Sequence, residues 1–291
     1  MRYQQFASMR SVMETPVLDA RKWAKVPDLP TDGVLVDMED TVAQARKLDG
    51  RAAVVAALGD RGYFGGRVLL CRPNGLDSPW WHDDTVALAR AGAENVILPM
   101  ITSAADVREF QRVFREHGAD PCLLPGIETP GGVAHVEEIA EIDRVAGLIF
   151  GEGDLTAAMG LPIFMPDGAV NPVVQHARAR VYVAAAAAEL AMLDIAFTRD
   201  IRDLAELRSR AQELRAMGAS ALFALYPPHV AVINDVFTPD AGALDYARLV
   251  VTEFETAAAT GKPAVQLQDG RTILIHDYKK AQAVLARSGP A

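Results

Sequence analysis

A chain of 291 residues, half of them apolar and 23% charged, can bury a large core and falls between one big domain and two ordinary ones. Its net charge of −9, with acids and bases interleaved, excludes the clustered basic face that nucleic-acid binding needs. No run approaches the roughly 18–20 apolar residues of a membrane span, and the N-terminal MRYQQFASMR lacks the apolar core of a signal peptide.

SMRSVMETP, near Ser8, is the candidate first strand. Seven clearer runs follow: VLVDME from Val34, RVLLCRP from Arg67, NVILPM from Asn95, CLLPGIE from Cys122, GLIFGEGD from Gly147, LDIAF from Leu193 and ALFALYP from Ala221. Their apolarity is continuous rather than alternating, as in parallel strands buried on both faces. Cys71 and Cys122 lie within two of these runs and read as buried thiols, which suits a reducing cytoplasm better than a disulfide framework. Amphipathic segments such as SAADVREFQRVFREHG and RDLAELRSRAQELRAMG separate the runs, the second closed by Gly218. VYVAAAAAELAM, from Val181, reads as a close-packed helix without chemistry. The repeating pattern, with no G-x-G-x-x-G or Walker turn, predicts a (β/α)8 barrel over 1–255 rather than an open doubly wound sheet. Residues 256–291 read as an appendage, with Asp269-Gly270 turning a hairpin before a basic helix; it would cap its own barrel or reach a neighbouring subunit.

Polar residues close successive runs: Asp37, Glu39 and Asp40, then Arg72 and Asn74, Glu128 and Thr129, and Glu152 and Asp154. In a parallel barrel those ends share one mouth. Thr129 and Asp154 are equally capable helix N-caps. Glu128, a charge ending a buried run, demands a counter-ion, either a metal or Arg72. Glu128 and Asp154 together suit Mg²⁺, with water and substrate oxygens completing the shell. Arg72 offers a planar fork for a substrate carboxylate, or else a structural salt bridge to one of the acids. Such groups suit enolate chemistry on a small 2-oxo or acyl carboxylate. His82, His135, His176 and His229 lack zinc-site spacing. Trp80-Trp81 reads as a pocket wall or a packing pair, and Tyr226 as a strand-end hydrogen-bond donor.

The ordered motifs DMEDTV, K-x-x-x-R (Lys47, Arg51), RPN, IET, FGEGDL and a distant DGR resemble the HpcH/HpaI aldolase and citrate lyase β-subunit group, from Gly33 to Val284. The specific part is GIETPGGV…LIFGEGDLTAAMG, and DMEDTVAQARK and INDVFTPD (from Ile233) support the citrate lyase β-like branch. The resemblance implies a cytoplasmic homo-oligomer, trimer or hexamer, that works as a metal-dependent carbon–carbon lyase. It implies Mg²⁺ (or Mn²⁺) on Glu128 and Asp154. It places the substrate carboxylate or carbonyl on Arg72, assisted by Asn74, Thr129 and Gly153, with Asp37, Glu39 and Asp40 alongside. The implied substrates are citryl-, malyl- or citramalyl-CoA thioesters or a free 2-oxo acid; no nucleic-acid or membrane partner is implied.

Four departures modify that expectation. SVMETPVLDARKW replaces a V-P-G segment, Pro99-Met100 replaces Pro-Lys, and Leu225-Tyr226-Pro227 replaces Ile-His-Pro. Leu274 stands where many CoA lyases of this group carry a catalytic aspartate donated across a subunit boundary. With hairpin geometry, His276 would share a face with Leu274 and serve as substitute acid or base, or simply be a surface residue. Hydrolysis of an acyl-CoA thioester on the same scaffold, and a non-catalytic accessory subunit, are the competing functions.

Overall fold

The computed structural model describes residues 4–6 and 8–286. Eight strands close a parallel barrel: β1 Ser11–Thr15, β2 Gly33–Asp37, β3 Val68–Arg72, β4 Asn95–Leu98, β5 Cys122–Ile127, β6 Gly147–Phe150, β7 Ala191–Ile195 and β8 Ala221–Ala224. Every run read from the sequence supplies a strand, and SMRSVMETP supplies the first. Closure rests on β1 pairing with both β2 and β8, with Val12 opposite Gly33 on one side and Phe223 on the other. The barrel helices are α1 Ala20–Trp23, α2 Lys47–Gly59, α3 Trp81–Arg90, α4 Ala104–Glu116, α5 Pro130–Ala134, α6 Val136–Ala140, α7 Glu152–Met159, α8 Pro172–Ala187 and α9 Leu204–Met217. Helix α10, Pro227–Phe237, leads out of the barrel. Cys71 and Cys122 are free and buried, and burial pushes the Cys71 thiol up to about 12. Among the described residues no helix is long and apolar enough to cross a membrane.

Strand side chains alternate with a period of two, so one residue in two fills the barrel interior. One core group takes a residue from each strand: Val12, Leu35, Leu70, Ile97, Leu124, Ile149, Leu193 and Phe223, floored by Phe6 and Met9. Two residues further along stand Glu14, Asp37, Arg72, Gly126, Gly151 and Ile195, and Glu128 follows Gly126 at the same phase. The polar mouth is thus the top layer of the same lumen. It lies at the carboxyl ends of the strands, as in other barrels of this type.

The chain divides into two compact units, Met1–Asn234 and Asp235–Ala291, rather than at 255/256. The difference has a packing cause. Helix α11, Ala241–Ala259, joins the tail because Val250 and Phe254 share an apolar cluster with Leu267, Ile273 and Ala281, and Phe254 stacks on Tyr278 at 4.9 Å. The Asp269-Gly270 hairpin forms between β9 Val265–Gln266 and β10 Thr272–Ile273, with Gly270 at φ +88°. Helix α12, Ile275–Ala286, begins at once afterwards, so His276 lies in its first turn. Strand alternation therefore does not relate His276 to Leu274. His276 is an exposed side chain 3.3 Å from Asp277, whose carboxylate accepts the Leu274 amide.

Candidate active site

Arg72 ends β3 inside the lumen, and β2–β3 register sets Asp37 beside it. Its Nε and Nη2 donate to the Asp37 carboxylate at 2.7 and 2.9 Å. Nη2 also donates to Glu14 at 2.8 Å, and Glu39 and Asp40 each lie 3.3 Å from the guanidinium. Asp37 accepts two further bonds from the amides of Glu39 and Thr41. Burial would push its carboxyl up, but Arg72 and those amides outweigh burial and hold it below the usual range. Asp37 is therefore an anchor for Arg72 with its acceptors occupied. The loop after β2 is clamped by Lys47, whose Nζ donates to the carbonyls of Met38 and Glu39 at 3.0 and 2.7 Å. Asn74 donates to Met38 O and to Asp84, and Arg51 holds Asp84 from the other side at 2.6 Å. The K-x-x-x-R spacing thus places both cations, one helical turn apart, beneath the acidic loop.

Glu128 follows β5 and is 8% exposed. Its Oε1 accepts the Met100 amide at 2.7 Å, an orientation that needs Met100 at φ 54°, outside the usual range for a residue with a side chain. Gly126 and Gly151 flank the carboxylate, and a Cβ on either would overlap it. Burial pushes Glu128 up to about 7; the Met100 bond opposes this and the Asp154 charge adds to it. Asp154, in the first turn of α7, is exposed and likewise raised, by burial and then by Asp40. Gly151, rather than Asp154, occupies the N-cap position of α7. Glu39 rises to about 9, through burial and then through Asp40, Asp37 and Glu128 against the opposing pull of Arg72. Burial also raises Glu14, against Arg72.

The structure thus gathers Asp37, Glu39, Asp40, Arg72, Glu128 and Asp154 into one electrostatic cluster and adds Glu14. Four of the carboxylates, Glu14, Asp37, Glu39 and Asp40, lie within ion-pair distance of Arg72; among the described residues, Glu128 and Asp154 have no cation at that distance. Among the described residues, no three His, Cys, Asp or Glu side chains converge as a ready-made metal cage. Two carboxylates with open coordination positions remain the arrangement suited to a hydrated divalent ion. A narrow cavity of about 50 Å³ lies between Glu14, Arg72, Glu128, Gly126 and Gly151, room for a few waters or the end of a small ligand.

Other expected site residues are spent on the scaffold. The Thr129 hydroxyl caps α5 through the Gly132 amide at 2.9 Å and donates its proton to Ile101 O, leaving no donor for a substrate. Asn74 is buried and committed to Met38 and Asp84. Gly153 lies in the first turn of α7, facing Phe197. Trp81 packs edge-on against Phe110 and Trp80 lies under Arg51, so the tryptophan pair belongs to packing. Sequence reasoning missed Glu14 and the Met100 amide. Once Val12 is known to face the lumen, the period of two assigns Glu14 to the mouth.

The family model for HpcH/HpaI aldolase/citrate lyase matches residues 10–227. A (3S)-malyl-CoA thioesterase of Cereibacter sphaeroides is 28% identical over 279 residues, covering 96% of this chain and 94% of the relative. An L-malyl-CoA/beta-methylmalyl-CoA lyase of the same species is 29% identical over 280 residues, covering 88% and 87%. The crystal structure of CitE from Mycobacterium tuberculosis with magnesium, acetoacetate and coenzyme A superposes with a TM-score of 0.78 at 26% identity, covering 98% of this chain and all of that one.

Proposed function

Because this chain belongs to the HpcH/HpaI aldolase/citrate lyase family, we propose that it is a divalent-metal-dependent carbon–carbon lyase or aldolase. Its substrate would be a 3-hydroxyacyl-CoA of the citryl, malyl or citramalyl type, or a free 2-oxo acid. One observation carries this reading: six carboxylates share a barrel mouth with one arginine, and two of them, Glu128 and Asp154, have no ion-pair partner among the described residues, the Asp154 charge raising Glu128. Negative charge gathered around the buried Glu128 is costly, and a cation offsets it. Mg²⁺ or Mn²⁺ fits the hard oxygen donors of Glu128 and Asp154. Bound there, the ion supplies Lewis-acid stabilisation to a developing enolate.

The chain's own residues do the rest. The Met100 amide fixes one Glu128 oxygen, and Gly126 and Gly151 keep the space around that carboxylate free of side chains. Asp37 holds Arg72 at the lumen wall, where its charge faces a substrate carbonyl or carboxylate. Lys47 and Asn74 steady the loop bearing Glu39 and Asp40.

A second reading is hydrolysis of the thioester, favoured by the malyl-CoA thioesterase relative that spans 96% of this chain. Malyl-CoA as test substrate separates the two. Mg²⁺-dependent formation of glyoxylate and acetyl-CoA, with no free thiol, identifies a lyase. Free CoA thiol and malate without glyoxylate identify a hydrolase. For a free-acid aldolase, Mg²⁺-dependent hydrogen–deuterium exchange at the pyruvate methyl reports enolate formation. If none of these signals appears and the protein binds no Mg²⁺ at millimolar concentration, the enzymatic reading fails and an accessory subunit remains.

A further inference from the structure

Glu14 is the one carboxylate of the mouth that comes from β1, two residues beyond Val12 at the same lumen phase. It lines the cavity together with Arg72 and Glu128. One of its oxygens is bonded to Arg72 Nη2 at 2.8 Å, while the other has no partner among the described residues. The remaining guanidinium nitrogens already face Asp37, Glu39 and Asp40. Nε and Nη2 of Arg72 are thus bonded to carboxylates of the chain itself, and Nη1 has Asp40 at 3.3 Å. A second substrate carboxylate at this arginine would arrive among like charges.

We propose that Glu14 is a specificity-determining residue: seated on Arg72, it rejects a second carboxylate on the substrate and accepts a neutral hydroxyl at that end of the cavity. The inference rests on the reading that the cavity takes a 2-oxo acid beside a divalent ion. Two physical effects act in the same direction. A second carboxylate meets the repulsion of Glu14, Asp37 and Glu128, with Arg72 already shared between Asp37 and Glu14. A hydroxyl instead donates to the second Glu14 oxygen, which has no protein partner among the described residues. Asp37 cannot play this part, because four donors from Arg72, Glu39 and Thr41 occupy its oxygens.

Three 2-oxo acids differing only in their third group make the test: pyruvate with a methyl, hydroxypyruvate with a hydroxymethyl, and freshly dissolved oxaloacetate with a carboxymethyl. Their binding to the full chain with saturating Mg²⁺ is measured by calorimetry, so the readout does not depend on turnover. The wild type should bind hydroxypyruvate most tightly and oxaloacetate least. In Glu14→Gln, which keeps the size and removes the charge, oxaloacetate affinity relative to pyruvate should rise about tenfold or more. Glu14→Ala opens the same vacancy and should shift the ratio the same way; circular dichroism identifies which variants are folded. An unchanged oxaloacetate-to-pyruvate ratio in a folded variant overturns the proposal while leaving the 2-oxo acid reading intact. So does a wild type that prefers oxaloacetate. If none of the three acids binds either protein, the 2-oxo acid reading falls and takes this proposal with it.

Discussion

Two buried ionic networks in the barrel unit are built from similar residues and differ in charge balance. Behind β6 and β7, Arg178 bonds Asp194 at 3.0 Å and Glu152 at 2.5 Å, and Arg210 approaches Glu152 at 3.5 Å. Tyr182 donates to Asp194 at 2.8 Å, and the Arg178 guanidinium lies over the Phe150 ring. Two arginines there meet two wholly buried acids. At the mouth, one arginine meets four acids, and Glu128 and Asp154 stand beside them without a cation. The balanced set needs nothing from outside, and through Glu152 it anchors the first turn of α7, two residues before Asp154. The unbalanced set raises Glu39 and Glu128, so that a proton or an added cation relieves it. Buried ions alone do not mark a functional site, since both regions have them; an uncompensated sum facing a cavity does.

Substitutions should break this contrast in opposite directions. The largest effect is expected at the mouth: Glu128→Ala or Asp154→Ala should reduce Mg²⁺-dependent methyl exchange or malyl-CoA turnover by at least about a hundredfold, with the fold intact by circular dichroism. Full activity in both variants would remove the metal assignment. Behind the barrel, Arg178→Met leaves Glu152 and Asp194 buried with less compensation and should cost about 3–5 kcal/mol in urea unfolding. A loss below about 1 kcal/mol would mean that the arginine contributes little to that network.

Glu128→Gln should do the reverse. It removes one repelling charge, so in EDTA at pH 8 the variant should be more stable than the wild type by about 1–2 kcal/mol. Added Mg²⁺ should raise the wild-type melting temperature and leave that of the variant nearly unmoved. The smallest effect concerns pH. The folded-state value of about 9 for Glu39 lies above its ordinary 4.5, so between these limits the folded chain holds a proton that the unfolded chain has released. This contribution is fully present below about pH 4.5 and is lost as pH rises through about 9. Urea midpoints of the metal-free protein should therefore fall from pH 6 to pH 9, and Glu39→Gln should flatten that slope. An identical slope in the variant would assign the titration to another group.

Much of this was legible from residues alone. Continuous apolar runs such as VILP and LLPGI mark strands buried on both faces, and polar residues at their ends mark the mouth, because backbone periodicity is a local property. The ordered motifs from DMED to FGEGDL carried the family. Thr129 shows where that reasoning stops. A threonine ending a strand can bind a ligand or cap a helix, and only the 2.9 Å bond to the Gly132 amide reveals the cap. His276 fails for a related reason: a helix starting at Ile275 ends the strand periodicity that would have aligned it with Leu274.

By itself, the sequence determined the barrel class, the order of its strands and the Glu128–Asp154 pair as candidate ligands. Only the tertiary structure decided that β1 closes the ring, that α11 belongs with the tail, and that Arg72 is already held by Asp37 and Glu14. Propensity and hydrophobic period are summed over neighbours along the chain. Charge compensation is summed over neighbours in space: Glu14 and Arg72 are 58 residues apart in sequence and 2.8 Å apart in the lumen.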